Sequence, residues 1–230
     1  MKILALETAT EACSVALWID GDVRERFEIA PRRHTELALP WAEQLLAEAG
    51  VRKSQIDAIA CGRGPGAFTG VRLAVALAQG LAFALDRPVL PISTLAALAL
   101  EGNAAAGEHV FAAIDARMGE IYLAEYLVDD PHALTETSAE RLAKPGDVRR
   151  DADVACIGVG TGFGAENGVL VARLGTHLRR CDATALPHAA AVAHLAAAAF
   201  TRGEAIAPDT LEPAYLRNKV ALTLVEQGKA

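Results

Sequence analysis

Aromatic residues, positive charges and paired cysteines are all scarce in this sequence, and each scarcity excludes a class of protein. Aromatic side chains make up 5% of the 230 residues although 52% are hydrophobic, so the core must rely on small aliphatic side chains that let helices pack closely. Lys and Arg number 22 against 29 Asp and Glu, which gives a net charge of −7. Unaided nucleic-acid binding needs clustered Lys and Arg. We therefore expect any contact with RNA to depend on a basic partner.

No cysteine lies in a CxxC motif, and three of the four cysteines stand within apolar runs. We expect reduced, buried thiols rather than disulfides. The first apolar segment is short and is interrupted by Glu7, unlike a signal peptide. The longest apolar run, residues 71–85, contains Gln79 and Gly80 and is too short to cross a bilayer. These features predict a soluble protein of the cytoplasm that has no membrane segment.

The signatures of common catalytic sites are also missing. The glycine-rich segment 62–72 lacks the Lys-Ser/Thr pair of a Walker loop, and no GxSxG elbow surrounds Ser14 or Ser93. His34 begins the first predicted helix, but Ala38 stands where a second zinc ligand would lie one turn later. We predict no metal site, no cofactor and no catalytic residue, and we expect His34 to cap the helix or to lie at an interface.

The first hundred residues alternate strands and helices in a recognisable order. Periodicity and turn signals predict three antiparallel strands over residues 2–29. Further along the chain they predict a helix over 35–49, a buried strand over 56–61, a helix over 70–85, a short strand near 89–92 and a helix ending at Glu101. This order is typical of the ribonuclease H-like lobe shared by actin, sugar kinases and Hsp70 ATPase domains.

Beyond Gly102 the pattern begins again less regularly. Strands are predicted over 109–114 and 120–128, then a polar loop over 129–153 with one short helix at 139–142, a strand over 154–159 and a helix over 188–201. The predicted fold class is therefore α/β: a two-lobed, actin-like fold with mixed sheets and flanking helices. We place the first lobe at residues 1–101 and a smaller lobe at 102–230, with the end of the chain packing back on the first lobe.

Segment 62–72 connects a predicted buried strand to a helix through several glycines, and Thr69 is placed to cap that helix. Such a loop can cradle a phosphate, or it can be a tight turn without a ligand. Glu7 ends the first strand, where phosphate-binding lobes place an acidic residue for magnesium. Its long side chain and the lack of glycine in the next turn argue against nucleotide capture. We therefore regard Glu7, Gly64, Gly66 and Thr69 as a vestigial nucleotide site.

Two predicted helices carry more apolar surface than one core requires. In helix 70–85, Leu73, Leu77, Leu81 and Ala84 form a stripe for the core, yet the opposite side carries little charge, and helix 35–49 has the same property. Either the second lobe covers these surfaces or a protein partner does, because small residues on an exposed helix permit close packing. We favour a partner, and the predicted contacts are Leu37, Trp41, Arg72, Val75, Gln79 and Ala82.

Five segments together resemble one protein family. They are Ile3–Thr8, His34–Glu36, Gly64–Arg72, Asp115–Glu120 and Pro213–Arg217, and they are similar to the bacterial TsaB family, also called YeaZ. The resemblance covers essentially the whole chain, and the glycine-rich segment is its most specific part. It implies an actin-like fold and a role in making threonylcarbamoyladenosine, the modified adenosine beside the anticodon of tRNAs that read codons starting with A.

In that family TsaB is a noncatalytic partner of TsaD, which binds a metal through paired histidines and transfers the threonylcarbamoyl group. The resemblance implies pairing through the two apolar helices, with TsaE joining the assembly and tRNA contacted only through the complex. The family usually has Asp where this chain has Glu7, which weakens any nucleotide role. An uncovered helix also permits a homodimer when the protein is alone.

Two other functions stay open at this point. One is a peptidase or small hydrolase of the glycoprotease-like superfamily, with Thr69 or His34 as the residue to test. The other is a nucleotide-binding sensor that uses Glu7 and the glycine-rich segment.

Overall fold

The computed structural model describes residues 1–150 and 154–217, which form two five-stranded sheets with flanking helices. The strands are β1 (Lys2–Glu7), β2 (Ala12–Ile19), β3 (Asp22–Ile29), β4 (Ala58–Gly62), β5 (Val89–Ile92), β6 (His109–Arg117), β7 (Glu120–Asp130), β8 (Ala133–Ala143), β9 (Cys156–Val159) and β10 (Leu178–Asp182). The helices are α1 (His34–Glu48), α2 (Phe68–Leu85), α3 (Thr94–Leu100), α4 (Val169–Leu174) and α5 (Ala189–Thr201).

The two sheets share one topology. The first has the order β3-β2-β1-β4-β5 and the second the order β10-β9-β6-β7-β8. In each, three consecutive strands pair antiparallel and two further strands add in parallel beside the first of them. Parallel neighbours require crossover connections, and helices supply them in the first sheet. The predicted two-lobed α/β fold with mixed sheets is therefore confirmed.

Helices cover both faces of the first sheet because its central strand is apolar on both sides. Leu4 and Leu6 of β1 belong to the core beneath α1 and α2, whereas Ile3 and Ala5 belong to the core beneath α5. Helix α5 is alanine-rich, which lets it lie close to the sheet. The chain then returns along β5, where Ile206 bridges to Val89. The lobe boundary at residues 101/102 stays a prediction.

The loop predicted over 129–153 is wrong in its main part, because Ala133–Ala143 forms β8 and pairs antiparallel with β7. The segment contains Ala, Leu and Glu, which favour helix locally, but pairing along the open edge of β7 overrides that preference. The prediction also missed α4 and β10. Residues 151–153 of the predicted loop lie outside the described residues, as does everything after Arg217.

Helix α2 begins earlier than predicted. Its first residue is Phe68 and its N-cap is Ala67, so Thr69 lies inside the first turn and does not cap the helix. With 18 apolar-rich residues, α2 has the length and hydropathy of a candidate membrane span, contrary to the predicted shortness of this run. Core helices of soluble proteins pass the same test, and Ala74, Val75 and Ala78 of α2 are buried against the first sheet.

Candidate functional site

The glycine-rich segment packs directly against the turn between β1 and β2. The amide of Ala67 donates to the carbonyl oxygen of Ala9 at 2.7 Å, and the hydroxyl of Thr8 donates to the carbonyl of Gly70 at 2.7 Å. A Cβ on Gly66 would overlap Ala9, and one on Gly70 would overlap the carbonyl oxygen of Thr8. The glycines therefore serve a close backbone contact, and the neighbouring turn occupies the space that a phosphate cradle would need.

Glu7 is a buried structural carboxyl. One carboxylate oxygen accepts a hydrogen bond from the amide of Ala9 at 2.7 Å, and the other accepts from the hydroxyl of Thr94 at 3.1 Å. A Cβ on Gly62 would overlap this carboxylate. Burial raises the pKa of Glu7 to about 7, and the hydrogen bonds from Ala9 and Thr94 oppose that rise. Glu7 thus joins the end of β1, the glycine-rich segment and the start of α3.

The predicted nucleotide site needs correction on this geometry. Of its four residues, only Gly66 lines the cavity between the lobes. Glu7 and Gly64 are buried, and Thr69 is exposed in the first turn of α2. The four residues lie near one another without facing a common space. The nucleotide-sensor alternative therefore loses the carboxylate on which it depended.

Replacing Glu7 with Gln should change how stability depends on pH. Between about pH 4.5 and 7 the folded state holds a proton that the unfolded state releases, so the stability of the natural protein falls as pH rises through this range. Gln cannot ionise and avoids that loss. We expect Glu7→Gln to match the natural protein near pH 4.5 and to exceed it at pH 8 by at most about 3 kcal/mol. Urea unfolding at both pH values measures this, and parallel pH profiles would contradict it.

The predicted interface residues of α2 do not all face outward. Val75 is 6% exposed and Ala82 is 0% exposed, and both lie against the first sheet. Gln79 is half-buried and donates to the carbonyl oxygens of Pro208 and Leu211 at 3.0 and 3.3 Å. Val75 and Ala82 are therefore core residues, and this part of the prediction is wrong. The helix is apolar on several sides, and its smaller side chains allow the closest approach to the sheet.

The other predicted contacts have mixed surroundings. Leu37 and Trp41 of α1 are half-buried and pack on the core of the first lobe. Arg72 lies against two aromatic rings, with its guanidinium carbon 3.2 Å from the centre of the Phe68 ring and 4.9 Å from that of Tyr215. Leu37 and Trp41 thus contribute chiefly to packing, whereas Arg72 belongs to the cavity described below.

A different stripe of α2 is exposed, and we call it the outer face of α2. Leu73 and Leu77 on this face are half-buried, Phe83 is 61% exposed, and no side chain on it is charged. Its residues are Thr69, Leu73, Ala76, Leu77, Gly80, Phe83 and Ala84. Small residues recur every fourth position at 76, 80 and 84, a spacing that permits close helix packing and that sequence reasoning overlooked.

The outer face of α1 is polar by comparison. Three of its glutamates form ion pairs, Glu36 with Arg33, Glu43 with Lys53 and Glu48 with Arg26. Leu39 is 41% exposed among them. The expectation that both helices share an apolar outer surface therefore holds for α2 only.

The two serines that lack a GxSxG elbow, Ser14 and Ser93, have structural partners. Ser14 is fully buried, donates to a carboxylate oxygen of Glu25 at 2.6 Å and accepts from the amide of Ala189 at 2.9 Å. Ser93 accepts from the amide of Ala96 as the N-cap of α3 and contacts Glu140. A serine nucleophile needs access to substrate, which burial denies to Ser14, and the hydroxyl of Ser93 is used to cap α3.

His34 fixes the β1–β2 turn to α1. Its Nε2 lies 3.0 Å from the carbonyl oxygen of Thr10 and 3.1 Å from that of Ala12, so this nitrogen carries the proton and donates. Within residues 1–150 and 154–217, no three His, Cys, Asp or Glu side chains are grouped in a way that suits a metal ion. His34 thus begins the helix as an anchor for the turn.

A cavity of about 840 Å³ lies between the lobes. The first lobe lines it with the β1–β2 turn, the residues before α1 and the start of α2. The second lobe contributes the end of β6, and the segment Ala214–Arg217 closes one side. Asp115 at the end of β6 accepts a hydrogen bond from the amide of Arg117 and orders the turn there.

Comparison with known proteins identifies relatives over nearly the whole chain. The family model described as TsaD, tRNA N6-adenosine threonylcarbamoyltransferase, matches residues 28–222. The tRNA threonylcarbamoyladenosine biosynthesis protein TsaB of Escherichia coli is 42% identical over 231 aligned positions, which cover 96% of both chains. These matches include α2 and the cavity-lining segments from both lobes.

Solved structures agree with this relationship. YeaZ from Pseudomonas aeruginosa superposes with a TM-score of 0.86 at 44% identity, over 94% of this chain and 99% of that one. A second structure with the same identity, coverage and TM-score is described as an uncharacterized protein with similarity to peptidase YeaZ from the same organism. The shared fold, the identity and the coverage lead to one assignment: this chain belongs to the TsaB family, also called YeaZ.

Proposed function

We propose that this protein is a noncatalytic subunit that pairs with TsaD, with TsaE joining the assembly, during threonylcarbamoyladenosine modification of tRNA beside the anticodon. The observation that carries the proposal is the outer face of α2. An exposed, uncharged helix surface with small residues at every fourth position suits packing against a helix of another protein. The family assignment supplies the pathway, and this surface supplies a means of pairing.

The absence of catalysis is part of the proposal. Ser14 and Ser93 are engaged in hydrogen bonds that hold α5 and α3, and His34 donates to backbone carbonyls. These contacts favour structural roles over the peptidase alternative. A hydrolase would also need its nucleophile open to a substrate. Ser14 is fully buried, whereas Thr69 is exposed in the first turn of α2 and stays the hydroxyl to test for that alternative.

The proposal also covers contact with tRNA, self-association and the location of the protein in the cell. With a net charge of −7, the protein is expected to meet tRNA only indirectly, through its partners. The exposed apolar residues on the outer face of α2 would also permit two copies of the protein to pair when no partner is present. Location in the cytoplasm stays a prediction.

Reconstitution tests this function directly. Threonylcarbamoyladenosine formation on tRNA is measured with TsaD, TsaE and the threonylcarbamoyl-adenylate synthase, with and without this protein. We expect modification to require the protein, while the protein alone forms no product. Equal modification without it would overturn the proposal. Cleavage of a peptide library by the purified protein would instead support the hydrolase alternative.

A further inference from the structure

The cavity between the lobes is cationic although the whole chain is acidic. Four arginines and two carboxylates line it, in a chain whose net charge is −7. Asp115 is engaged by Arg117 at 2.8 Å, and Arg217 is paired with Glu120 at 2.7 Å. Arg32 and Arg72 have no carboxylate partner within the described residues, and Glu11, the other carboxylate that lines the cavity, is exposed, so positive side chains outnumber negative ones in the lining. A concave surface with unpaired positive charge between low-dielectric walls concentrates anions.

Arg72 is held in a way that suits anion binding. Its guanidinium carbon lies 3.2 Å from the centre of the Phe68 ring and 4.9 Å from the centre of the Tyr215 ring. Its Nη1 is buried and has no acceptor within the described residues. A guanidinium donates in its own plane, along the edge where carboxylates and phosphates bind, and a ring stacked on it leaves that edge free. The stacking fixes the side chain before any ligand arrives.

The rest of the cavity is apolar enough to hold the body of a ligand. Val71, Ile114 and Tyr122 line it, and the two aromatic rings beside Arg72 are more than half exposed. A volume of about 840 Å³ lies within the range of small-molecule sites. A purely inorganic ion would leave these walls uncovered.

We propose that this cavity binds a small organic oxyanion, a carboxylate or a phosphate ester attached to an aromatic or aliphatic body, with Arg72 and Arg32 as its cationic contacts. The aromatic rings hold Arg72 and contact the body of the ligand. This inference is independent of pairing with TsaD, since the outer face of α2 does not include the cavity-lining side chains.

Calorimetry on the full-length protein with three matched probes tests the proposal. Phenyl phosphate and phenylacetate carry the two oxyanions on the same ring, and 2-phenylethanol is the neutral counterpart. We expect one or both anions to bind at millimolar concentration or below, with weaker binding at high salt and no detectable binding of the alcohol. The anion that binds more tightly shows whether the cavity prefers a phosphate ester or a carboxylate.

Substitutions of the cavity arginines test whether the anions bind in the cavity. Arg72→Gln and Arg32→Gln should each weaken anion binding by about tenfold or more. Arg202→Gln is the matched control, because Arg202 lies at the end of α5 and pairs with Glu204; it should bind as the natural protein does. Circular dichroism verifies that each variant is folded. Failure of both anions to bind, equal binding of the alcohol, or unchanged affinity in folded Arg72→Gln and Arg32→Gln would overturn the proposal.

Discussion

Replacing Gly80 with Glu is expected to abolish pairing with TsaD while leaving the protein folded. Gly80 lies in the middle of the outer face of α2, between Ala76 and Ala84, and nothing lies within 4 Å of a Cβ placed on it. The free protein therefore accommodates a side chain there, and glutamate has a higher helix propensity than glycine. In a close helix pair the same carboxylate would be desolvated without a partner. We expect affinity for TsaD to fall by about 100-fold or more.

Titration of labelled TsaD with each variant measures this loss, and threonylcarbamoyladenosine formation should fall in parallel. Gly80→Ala is the matched control, since it adds only a methyl group and should retain most of the affinity. Gly80→Lys tests whether burial of a charge or the sign of that charge causes the loss. We expect Gly80→Lys to lower the affinity for TsaD as Gly80→Glu does. If Gly80→Glu pairs with the affinity of the natural protein, the outer face of α2 is not the interface. Val75→Glu would be uninformative, because Val75 is buried.

Replacing Gly70 with Ala should strongly destabilise the fold, although the same substitution ten residues later should stabilise it. A Cβ on Gly70 would overlap the backbone carbonyl oxygen of Thr8, and the turn that carries Thr8 is fixed by its contact with Ala67 through Ala9. Backbone atoms cannot move aside as a flexible side chain can. We expect Gly70→Ala to lower the free energy of unfolding by about 3 kcal/mol, and Gly80→Ala to raise it by about 0.5–1 kcal/mol.

Urea unfolding of the two variants beside the natural protein provides the test. Both changes add one methyl group within α2, so helix propensity alone predicts the same stabilisation for both. A loss confined to Gly70→Ala isolates the backbone contact with the β1–β2 turn. Equal effects at Gly70 and Gly80 would mean that the glycine-rich segment does not rest on that turn.

Local pattern was sufficient for most of the first lobe. The apolar run of β2, the glycine at the β2–β3 turn and the apolar run of β4 each specify an element through its own residues, and the structure has all of them. Strand β8 was not predictable in this way. Its residues have no strong strand preference, and it forms because β7 offers an open edge that is distant from any local signal.

In the candidate site, too, the sequence predicted some features and tertiary contacts determined the others. The sequence indicated that α2 has more apolar surface than a core needs, and this excess is present in the structure. It did not indicate which stripe faces the sheet, because a helix that is apolar on several sides has no single preferred orientation. Packing against β4 buries Val75 and Ala82 and leaves Ala76, Gly80 and Ala84 exposed.

By itself the sequence determined the two-lobed α/β plan, the glycine-rich turn before α2 and the family, because these depend on local periodicity, on turn residues and on linear motifs. The tertiary structure alone decided which face of α2 is free, that Glu7 is buried, and that Arg32 and Arg72 line one cavity. Each of these depends on contacts between segments that are far apart in the chain. Such contacts are fixed by packing and desolvation across the whole fold, which no local pattern records.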